Sequence, residues 1–239
     1  MTTTQASPYL VSREGVWIVI PAYNEARTIA GVVSSLRRRG YRHVCVVSDG
    51  SADGTSTLAL RAGADVLEHV VNLGQGAALA TGIEYALTHG AQFVCTFDAD
   101  GQHSPDSIDN LLEALERSQA DVALGSRFLG SQSSIPFSRR MLLRAALAFT
   151  HMHAHVAVTD THNGLRMFTR RAAETIKIEQ PQMAHASEIL QKLGTSKMKF
   201  VEVPVEIVYT EYSKKKGQSG FDSVKIILDL LYRSIAVRH

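Results

Sequence analysis

The segment FDADGQH, at positions 97–103, contains two carboxylates one residue apart directly after an apolar run. The preceding residues have the β-branched and aromatic content of a buried strand, so Asp98 and Asp100 should lie where that strand leaves the core. Hard cations such as Mg²⁺ or Mn²⁺ prefer oxygen ligands and keep positions open for substrate phosphates, and Gln102 offers a further oxygen. A turn in which Asp100 or Ser104 caps the next helix is the alternative interpretation.

Two other segments could contact a ligand. DGSADGT, at 49–55, combines turn glycines with carboxylates that can accept hydrogen bonds from a nucleobase or ribose, although such a segment taken alone is more often only a turn. NLGQG, at 72–76, includes Gly76 just before a predicted helix, which would allow close backbone approach by a ligand. Chain packing is the default interpretation of these glycines.

Predicted strands and helices alternate along the first half of the chain, and they determine where these residues lie. Strands are predicted at 16–21, 43–47, 65–69, 92–97 and 121–125, and helices at 26–39, 55–62, 76–90 and 104–118. This alternation predicts an α/β fold with a parallel sheet, in which ligands gather at the carboxyl ends of the strands. The second half predicts a helix at 139–156, strands at 164–169 and 201–209, and an amphipathic C-terminal helix at 223–235.

Length and composition exclude several classes of protein. The 239 residues fit one domain, predicted at 15–239 after a flexible tail at 1–14. A net charge of +2 without a basic block argues against a nucleic-acid partner, and two cysteines in apolar runs indicate buried thiols in a reducing compartment. The sequence has neither a secretory signal nor an apolar run of about 20 residues. We expect a cytoplasmic protein or one that binds peripherally at the cytoplasmic face of a membrane.

Five segments in order, IPAYNEARTI, SDGSADGT, NLGQGAALATG, FDADGQH and GSRF, resemble the family 2 glycosyltransferases with a GT-A fold. The resemblance is strongest to the branch that transfers sugars to polyprenyl or dolichyl phosphate. It covers residues 16–130 closely and continues more loosely through TDTHNGLRMF and VPVEIVYTEYSKKKGQS. It implies a mostly parallel sheet with helices on both faces, a nucleotide-sugar-binding half at 15–130 and an acceptor-binding half at 131–239.

The resemblance implies that the nucleoside lies at the ends of the first two strands. The residues it assigns after the first strand are Pro21, Ala22, Tyr23 and Glu25. Asp49 matches one member of the family's aspartate pair after the second strand, where Ser48 replaces the other. The missing carboxylate leaves the choice between UDP and GDP open.

The resemblance also implies how the diphosphate is held. The DxD motif is Asp98-Ala99-Asp100, which would bind the divalent cation and the donor diphosphate, with Gln102 as a third metal ligand. Arg127 and Arg166 match two arginines that could bind phosphate through a bidentate fork. For either arginine, an ion pair with a core carboxylate is the alternative.

The resemblance implies roles for two further residues, Glu188 and Lys214, and each role has an alternative. Glu188 falls where many family members have the base that deprotonates an acceptor hydroxyl, a role needed only if the acceptor is an alcohol. Lys214 lies in a basic run before Gly217-Gln218-Ser219, where the family has a loop near the phosphates, although Gly220 replaces a usual lysine. A carboxylate on a helix surface and a solvated charge run are the respective alternatives.

The resemblance implies an inverting, metal-dependent glycosyltransferase of cell-envelope polysaccharide synthesis that uses a nucleotide-diphosphate-sugar. We favour a polyprenyl phosphate acceptor, with a saccharide or small-molecule hydroxyl as the alternative. A non-catalytic nucleotide-sugar-binding subunit of a membrane partner is a further hypothesis, motivated by Ser48, Gln75 and Gly220, and self-association stays open. The histidines at 151–155 have helical spacing but no third ligand nearby in sequence, so we do not interpret them as a metal site.

Overall fold

Seven strands form one sheet in the computed structural model, which describes residues 12–129, 156 and 158–207. The strands are β1 Val16–Ala22, β2 His43–Asp49, β3 Asp65–His69, β4 Phe93–Thr96, β5 Val122–Ser126, β6 Arg166–Thr169 and β7 Phe200–Pro204. Their order in the sheet is β3-β2-β1-β4-β6-β5-β7. Only β6 is antiparallel to its neighbours, so the predicted mostly parallel α/β sheet is confirmed.

Helices cover both faces of this sheet. They are α1 Ile29–Arg38, α2 Thr55–Arg61, α3 Gln75–Thr88, α4 Asp106–Ser118, α5 Arg170–Thr175 and α6 His185–Thr195. Helices α1, α2 and α4 pack on one face and α3, α5 and α6 on the other. Alternate residues of β1 enter the two cores, Ile18 and Ile20 on one side and Trp17 and Val19 on the other, as expected for a strand buried on both faces.

The strand order reverses between β1 and β4, and this point positions the acidic segment. Strand β2 continues the sheet on one side of β1, while β4 lies on the other. The register pairs Val19 with Thr96, and the Phe97 amide donates to the Val19 carbonyl at 3.0 Å. Asp98 therefore leaves the sheet beside Pro21, at the crevice where open α/β sheets bind their ligands.

Element boundaries differ from the sequence prediction in a few places. The first helix begins at Ile29 instead of residue 26, because residues 23–28 form a turn bonded to the loop after β2. The strand predicted at 92–97 spans only Phe93–Thr96, and α5 was not predicted. Arg13, within the predicted tail, bonds both carboxylate oxygens of Asp109 on α4. Three predicted segments lie outside the described residues. They are the helix at 223–235, the run containing Lys214 and, apart from residue 156, the helix at 139–156.

Both cysteines are buried and free, as the sequence predicted. Burial raises the pKa of Cys45 to about 12, so this thiol stays protonated and unreactive at neutral pH. Within the described part of the chain, no helix has the length and apolar character needed to cross a bilayer.

Candidate active site

Asp98 is the first polar residue after β4, and its carboxylate is held by neighbours on three segments. The Nε2 atom of His103 lies 3.1 Å from Oδ2, and the Gln75 amide lies 3.5 Å from Oδ1. A Cβ on Gly164 would overlap the carboxylate, so any side chain at this position would displace Asp98 from its present orientation. Burial alone would raise the pKa of Asp98, but the bond and charge of His103 outweigh it and lower that pKa. Asp98 is therefore ionised and oriented.

Asp100 lies two residues further along and is in a less favourable electrostatic environment. Burial and the charge of Asp98 raise the pKa of Asp100, although its carboxylate accepts a bond from the Gln102 amide at 3.0 Å. Gly101, with φ of +74°, makes the tight turn between Asp100 and Gln102. A divalent cation bound by both carboxylates would offset the repulsion between Asp98 and Asp100, so these two residues suit a hard cation, and Gln102 stays a predicted third ligand.

Of the residues predicted to bind the nucleoside, Pro21 and Ala22 end β1, whereas Tyr23 and Glu25 lie on a turn that is bonded to the loop after β2. The amide of Glu25 bonds Thr55 Oγ1 at 2.8 Å, and the amide of Ala26 bonds Asp53 at 3.0 Å. Pro21 lines the cavity beside the acidic pair, Ala22 is buried, and Tyr23 is 49% exposed. The backbone of this turn is thus fixed, while the Tyr23 ring is available to a ligand.

Asp49 is buried at the end of β2 and holds the next loop. Its oxygens accept bonds from the amides of Leu73 at 2.9 Å and Gly74 at 2.7 Å, and lie 2.7 Å from Nδ1 of His69. These bonds show that Asp49 fixes the loop that follows β3. The predicted contact of Asp49 with the nucleoside stays a prediction.

The glycines before α3 are explained by packing of the chain on itself. A Cβ at Gly76 would overlap the carbonyl oxygen of Gln180, and one at Gly74 would overlap that of Pro181. The amide of Ala77 also donates to the Pro181 carbonyl at 3.1 Å. Gln180 therefore approaches Gly76 closely in this structure, which agrees with the packing interpretation, and a ligand contact at Gly76 stays a prediction.

Arg127 forms the bidentate fork that the sequence predicted, but its partner here is a protein carboxylate. Its Nε and one Nη lie 2.7 and 2.8 Å from the two oxygens of Asp160, whose side chain is 2% exposed. This is the alternative that the sequence left open, an ion pair with a core carboxylate. It gives Arg127 a role in fixing the segment that precedes β6.

Arg166, the second predicted arginine, lines the cavity. It is 4% exposed, and its guanidinium donates to the carbonyls of Asn163 at 3.1 Å and Thr161 at 3.0 Å. Burial lowers the pKa of Arg166 to about 10, so it remains a cation at neutral pH. It supplies positive charge near Asp98.

Glu188, the predicted base, lies on α6 and is held by neighbouring residues. Its carboxylate accepts bonds from the amides of Glu179 and Gln180 and pairs with Lys192 at 2.8 Å. Burial opposes ionisation, but these partners outweigh it and lower the pKa of Glu188. Glu188 is not among the residues that line the cavity.

The cavity beside the acidic pair has a volume of about 250 Å³ and contains polar residues that sequence reasoning missed. They are Asn163, His162 and His185. The family resemblance implied roles only for two neighbours of these residues in sequence, Arg166 and Glu188. Only the fold brings the start of α6 and the turn before β6 next to Asp98.

Comparison with known proteins gives matches along most of the chain. The family model described as Glycosyl transferase family 2 matches residues 17–177. An uncharacterized protein of Methanocaldococcus jannaschii, MJ1222, is 32% identical over 229 residues, which cover 94% of each chain. The UDP-N-acetylglucosamine--dolichyl-phosphate N-acetylglucosaminyltransferase of Methanococcus voltae is 29% identical over 237 residues, covering 90% of this chain and 94% of that protein.

A solved structure has the same fold. Glucosyl-3-phosphoglycerate synthase from Mycobacterium tuberculosis, in complex with Mg²⁺ and uridine-diphosphate, superposes with a TM-score of 0.61 at 21% identity. The alignment covers 82% of this chain and 71% of that one. At this identity the likeness concerns the fold.

Proposed function

Because this chain belongs to glycosyl transferase family 2, we propose that it transfers a sugar from a nucleotide-diphosphate-sugar to a polyprenyl phosphate. The transfer inverts the configuration at the anomeric carbon and requires Mg²⁺ or Mn²⁺. The observation that carries the proposal is the acidic pair, Asp98 and Asp100, in the lining of one cavity together with Arg166. The M. voltae relative is named as an enzyme that acts on dolichyl phosphate, and the M. tuberculosis structure holds Mg²⁺ and uridine-diphosphate.

The acidic pair would bind the donor diphosphate through the cation. Asp98, Asp100 and Gln102 are its proposed ligands, and the bond from His103 to Asp98 keeps one carboxylate oriented for this role. A bound cation supplies charge that stabilises the departing diphosphate. Arg166 adds fixed positive charge in the same cavity, where burial strengthens electrostatic interactions.

The displacement itself needs no protein base if the acceptor is a phosphate. An acceptor phosphate oxygen is already an anion at neutral pH. It attacks the anomeric carbon from the face opposite the diphosphate, and the bond between that carbon and the diphosphate oxygen breaks in the same step. This chain has to orient the donor and exclude water, and the buried side chains of Leu79 and Ile189 in the cavity wall contribute to that exclusion.

The position of Glu188 supports a phosphate acceptor over an alcohol. A general base must reach the acceptor proton and must have a pKa near the working pH. The carboxylate of Glu188 instead bonds the 179–180 backbone and Lys192, and its pKa is lowered. A saccharide or small-molecule hydroxyl is the second candidate acceptor, favoured only by the sequence match of Glu188. With a lipid acceptor, the enzyme would work at a membrane surface.

A transfer assay tests the proposal. The protein is incubated with Mn²⁺, a short-chain polyprenyl phosphate and, separately, UDP-N-acetylglucosamine, UDP-glucose or GDP-mannose. We expect one donor to give a sugar linked to the lipid phosphate, with the opposite anomeric configuration by NMR, and no product after chelation with EDTA. The matching polyprenol without phosphate is the control acceptor. Transfer to the polyprenol, or retained configuration, would contradict the proposal.

A further inference from the structure

We propose that Asn163 and His185 form a subsite that binds hydroxyl groups of the donor sugar. The inference rests on the proposed function, because it identifies the part of the cavity that recognises the sugar. Both residues line the cavity that also contains Asp98 and Asp100. In a nucleotide-diphosphate-sugar the sugar is attached directly to the diphosphate, so it must lie next to the residues that hold that diphosphate.

Asn163 presents a hydrogen-bond donor that has no partner. Its side chain is fixed because Oδ1 accepts the Leu165 amide at 2.9 Å, which assigns the other end of the amide as Nδ2. The residue is 4% exposed, and among the described residues no group accepts a bond from Nδ2. A buried donor without a partner destabilises a folded protein, so a ligand oxygen that satisfied it would gain free energy.

His185 presents an acceptor in the same cavity. Its Nδ1 lies 2.8 Å from the Gln182 carbonyl, which can only accept, so Nδ1 carries the proton and Nε2 has the lone pair. Burial lowers the pKa of His185, so the ring is neutral at pH 7. The ring is fixed at the start of α6, where the His185 side chain packs against Gly76. Within residues 12–129, 156 and 158–207, no hydrogen bond to Nε2 is formed.

A donor and an acceptor together select the chemical group that binds. A hydroxyl can accept from Asn163 Nδ2 and can donate to His185 Nε2, either as one group or as two neighbouring groups on a sugar ring. Phosphate oxygens only accept, so they would be repelled by the lone pair of Nε2. The apolar residues of the same wall, Leu79, Ala186 and Ile189, suit the C–H faces of a sugar ring.

Two substitutions separate sugar recognition from diphosphate binding. Asn163→Asp keeps the oxygen that accepts the Leu165 amide and replaces the Nδ2 donor by an oxygen. His185→Phe keeps an aromatic ring and the Cβ that lies close to Gly76, and it removes both nitrogens. Asn110→Asp, on the exposed side of α4, and His89→Phe, at the end of α3, make the same chemical changes away from the cavity and serve as controls.

Calorimetry in the presence of Mn²⁺ measures the affinity of each protein for a nucleotide diphosphate and for the matching nucleotide-sugar. The two pairs of compounds are UDP with UDP-glucose and GDP with GDP-mannose. The charge added by Asn163→Asp affects both members of a pair, so the ratio of the two affinities is the readout. We expect each cavity variant to lower the preference for the nucleotide-sugar about tenfold, the effect of one lost hydrogen bond, and the controls to leave it unchanged.

Three other outcomes are distinguishable. An unchanged ratio in both cavity variants, with diphosphate binding intact, would overturn the subsite and leave the proposed function standing. An equal loss of diphosphate and nucleotide-sugar binding would assign both residues a structural role and would also overturn it. Failure of the wild-type protein to bind any of the four compounds would overturn the proposed function and this inference with it.

Discussion

Nε2 of His103 lies 3.1 Å from Oδ2 of Asp98, and the His103 side chain is 3% exposed. The two residues are five positions apart, one before and one after the tight turn at Gly101. The imidazole therefore orients a carboxylate that we propose as a metal ligand.

We predict that His103→Phe weakens Mn²⁺ binding in the presence of a nucleotide diphosphate by about 10- to 100-fold, the usual effect of removing a partner of a metal ligand. The reason is that Asp98 loses the bond that orients it and favours its ionised form. Mn²⁺ affinity is measured by calorimetry, with His89→Phe as the control. Unchanged affinity in a folded His103→Phe variant would show that Asp98 does not depend on the imidazole.

Arg127→Ala should destabilise the protein by about 3 kcal/mol at pH 7, because it leaves the buried carboxylate of Asp160 without its charged partner. Arg127→Lys retains the positive charge but cannot form the bidentate fork. Its free energy of unfolding should therefore lie between those of the wild type and Arg127→Ala. The free energy of unfolding is measured by urea denaturation. A stable Arg127→Ala variant that has lost transfer activity would instead return Arg127 to a phosphate-binding role.

The stabilisation by this ion pair should depend on pH. Burial opposes ionisation of Asp160, but the bonds and charge of Arg127 outweigh it and lower the pKa of Asp160. A depressed carboxyl pKa contributes stability that is fully present above the unfolded value of about 4 and is lost as pH falls through the folded pKa. The difference in stability between wild type and Arg127→Ala should therefore shrink as pH falls from 7 to 3, because Asp160 becomes protonated at a higher pH in the folded variant than in the folded wild type. A constant difference from pH 7 to pH 3 would contradict this.

Glu188→Gln should leave turnover with a polyprenyl phosphate within about threefold of wild type, because a phosphate acceptor needs no base. Loss of a general base would lower turnover about 10²- to 10⁴-fold. Glutamine keeps one oxygen for the amides of Glu179 and Gln180, which limits disturbance of that loop. Turnover is measured at saturating donor. A loss of several hundredfold would support an alcohol acceptor.

Gly76→Ala should destabilise the protein by about 1–3 kcal/mol, because its Cβ overlaps the backbone carbonyl of Gln180. The matched control is Gly31→Ala on α1, where a Cβ meets nothing within 4 Å. That control should stabilise the protein by about 0.5–1 kcal/mol, since alanine is favoured in a helix. Thermal denaturation compares the two. Similar effects of both substitutions would show that residues 180–182 do not need the space at Gly76.

The position of the acidic pair could be predicted from sequence because it depends on local order. The strand pattern at 92–97 is followed directly by polar residues, and the carboxyl ends of parallel strands meet at one edge. The reversed direction of β6 could not be predicted, because it depends on pairing with β4 and β5 and not on residues 166–169 alone.

The partners of the candidate residues were also beyond sequence reasoning. Asp160 lies 33 positions after Arg127, and nothing in the local pattern of either residue indicates that they pair. The tautomer of His185 depends on the Gln182 carbonyl, and the unpaired Nδ2 of Asn163 depends on how three segments pack. Sequence motifs identified residue types suited to phosphate and metal, whereas burial and hydrogen bonds decide which of them face the cavity.

We propose above all that Asp98 and Asp100 hold a nucleotide diphosphate through a divalent cation. The most direct measurement is thermal stabilisation by UDP, GDP and their sugar derivatives, with and without Mn²⁺ or Mg²⁺, for wild type and for Asp100→Ala. We predict a metal-dependent rise in Tm with one base that is absent in Asp100→Ala, because selective binding to the native state raises its stability. No rise with any nucleotide, or an equal rise in the variant, would contradict the account.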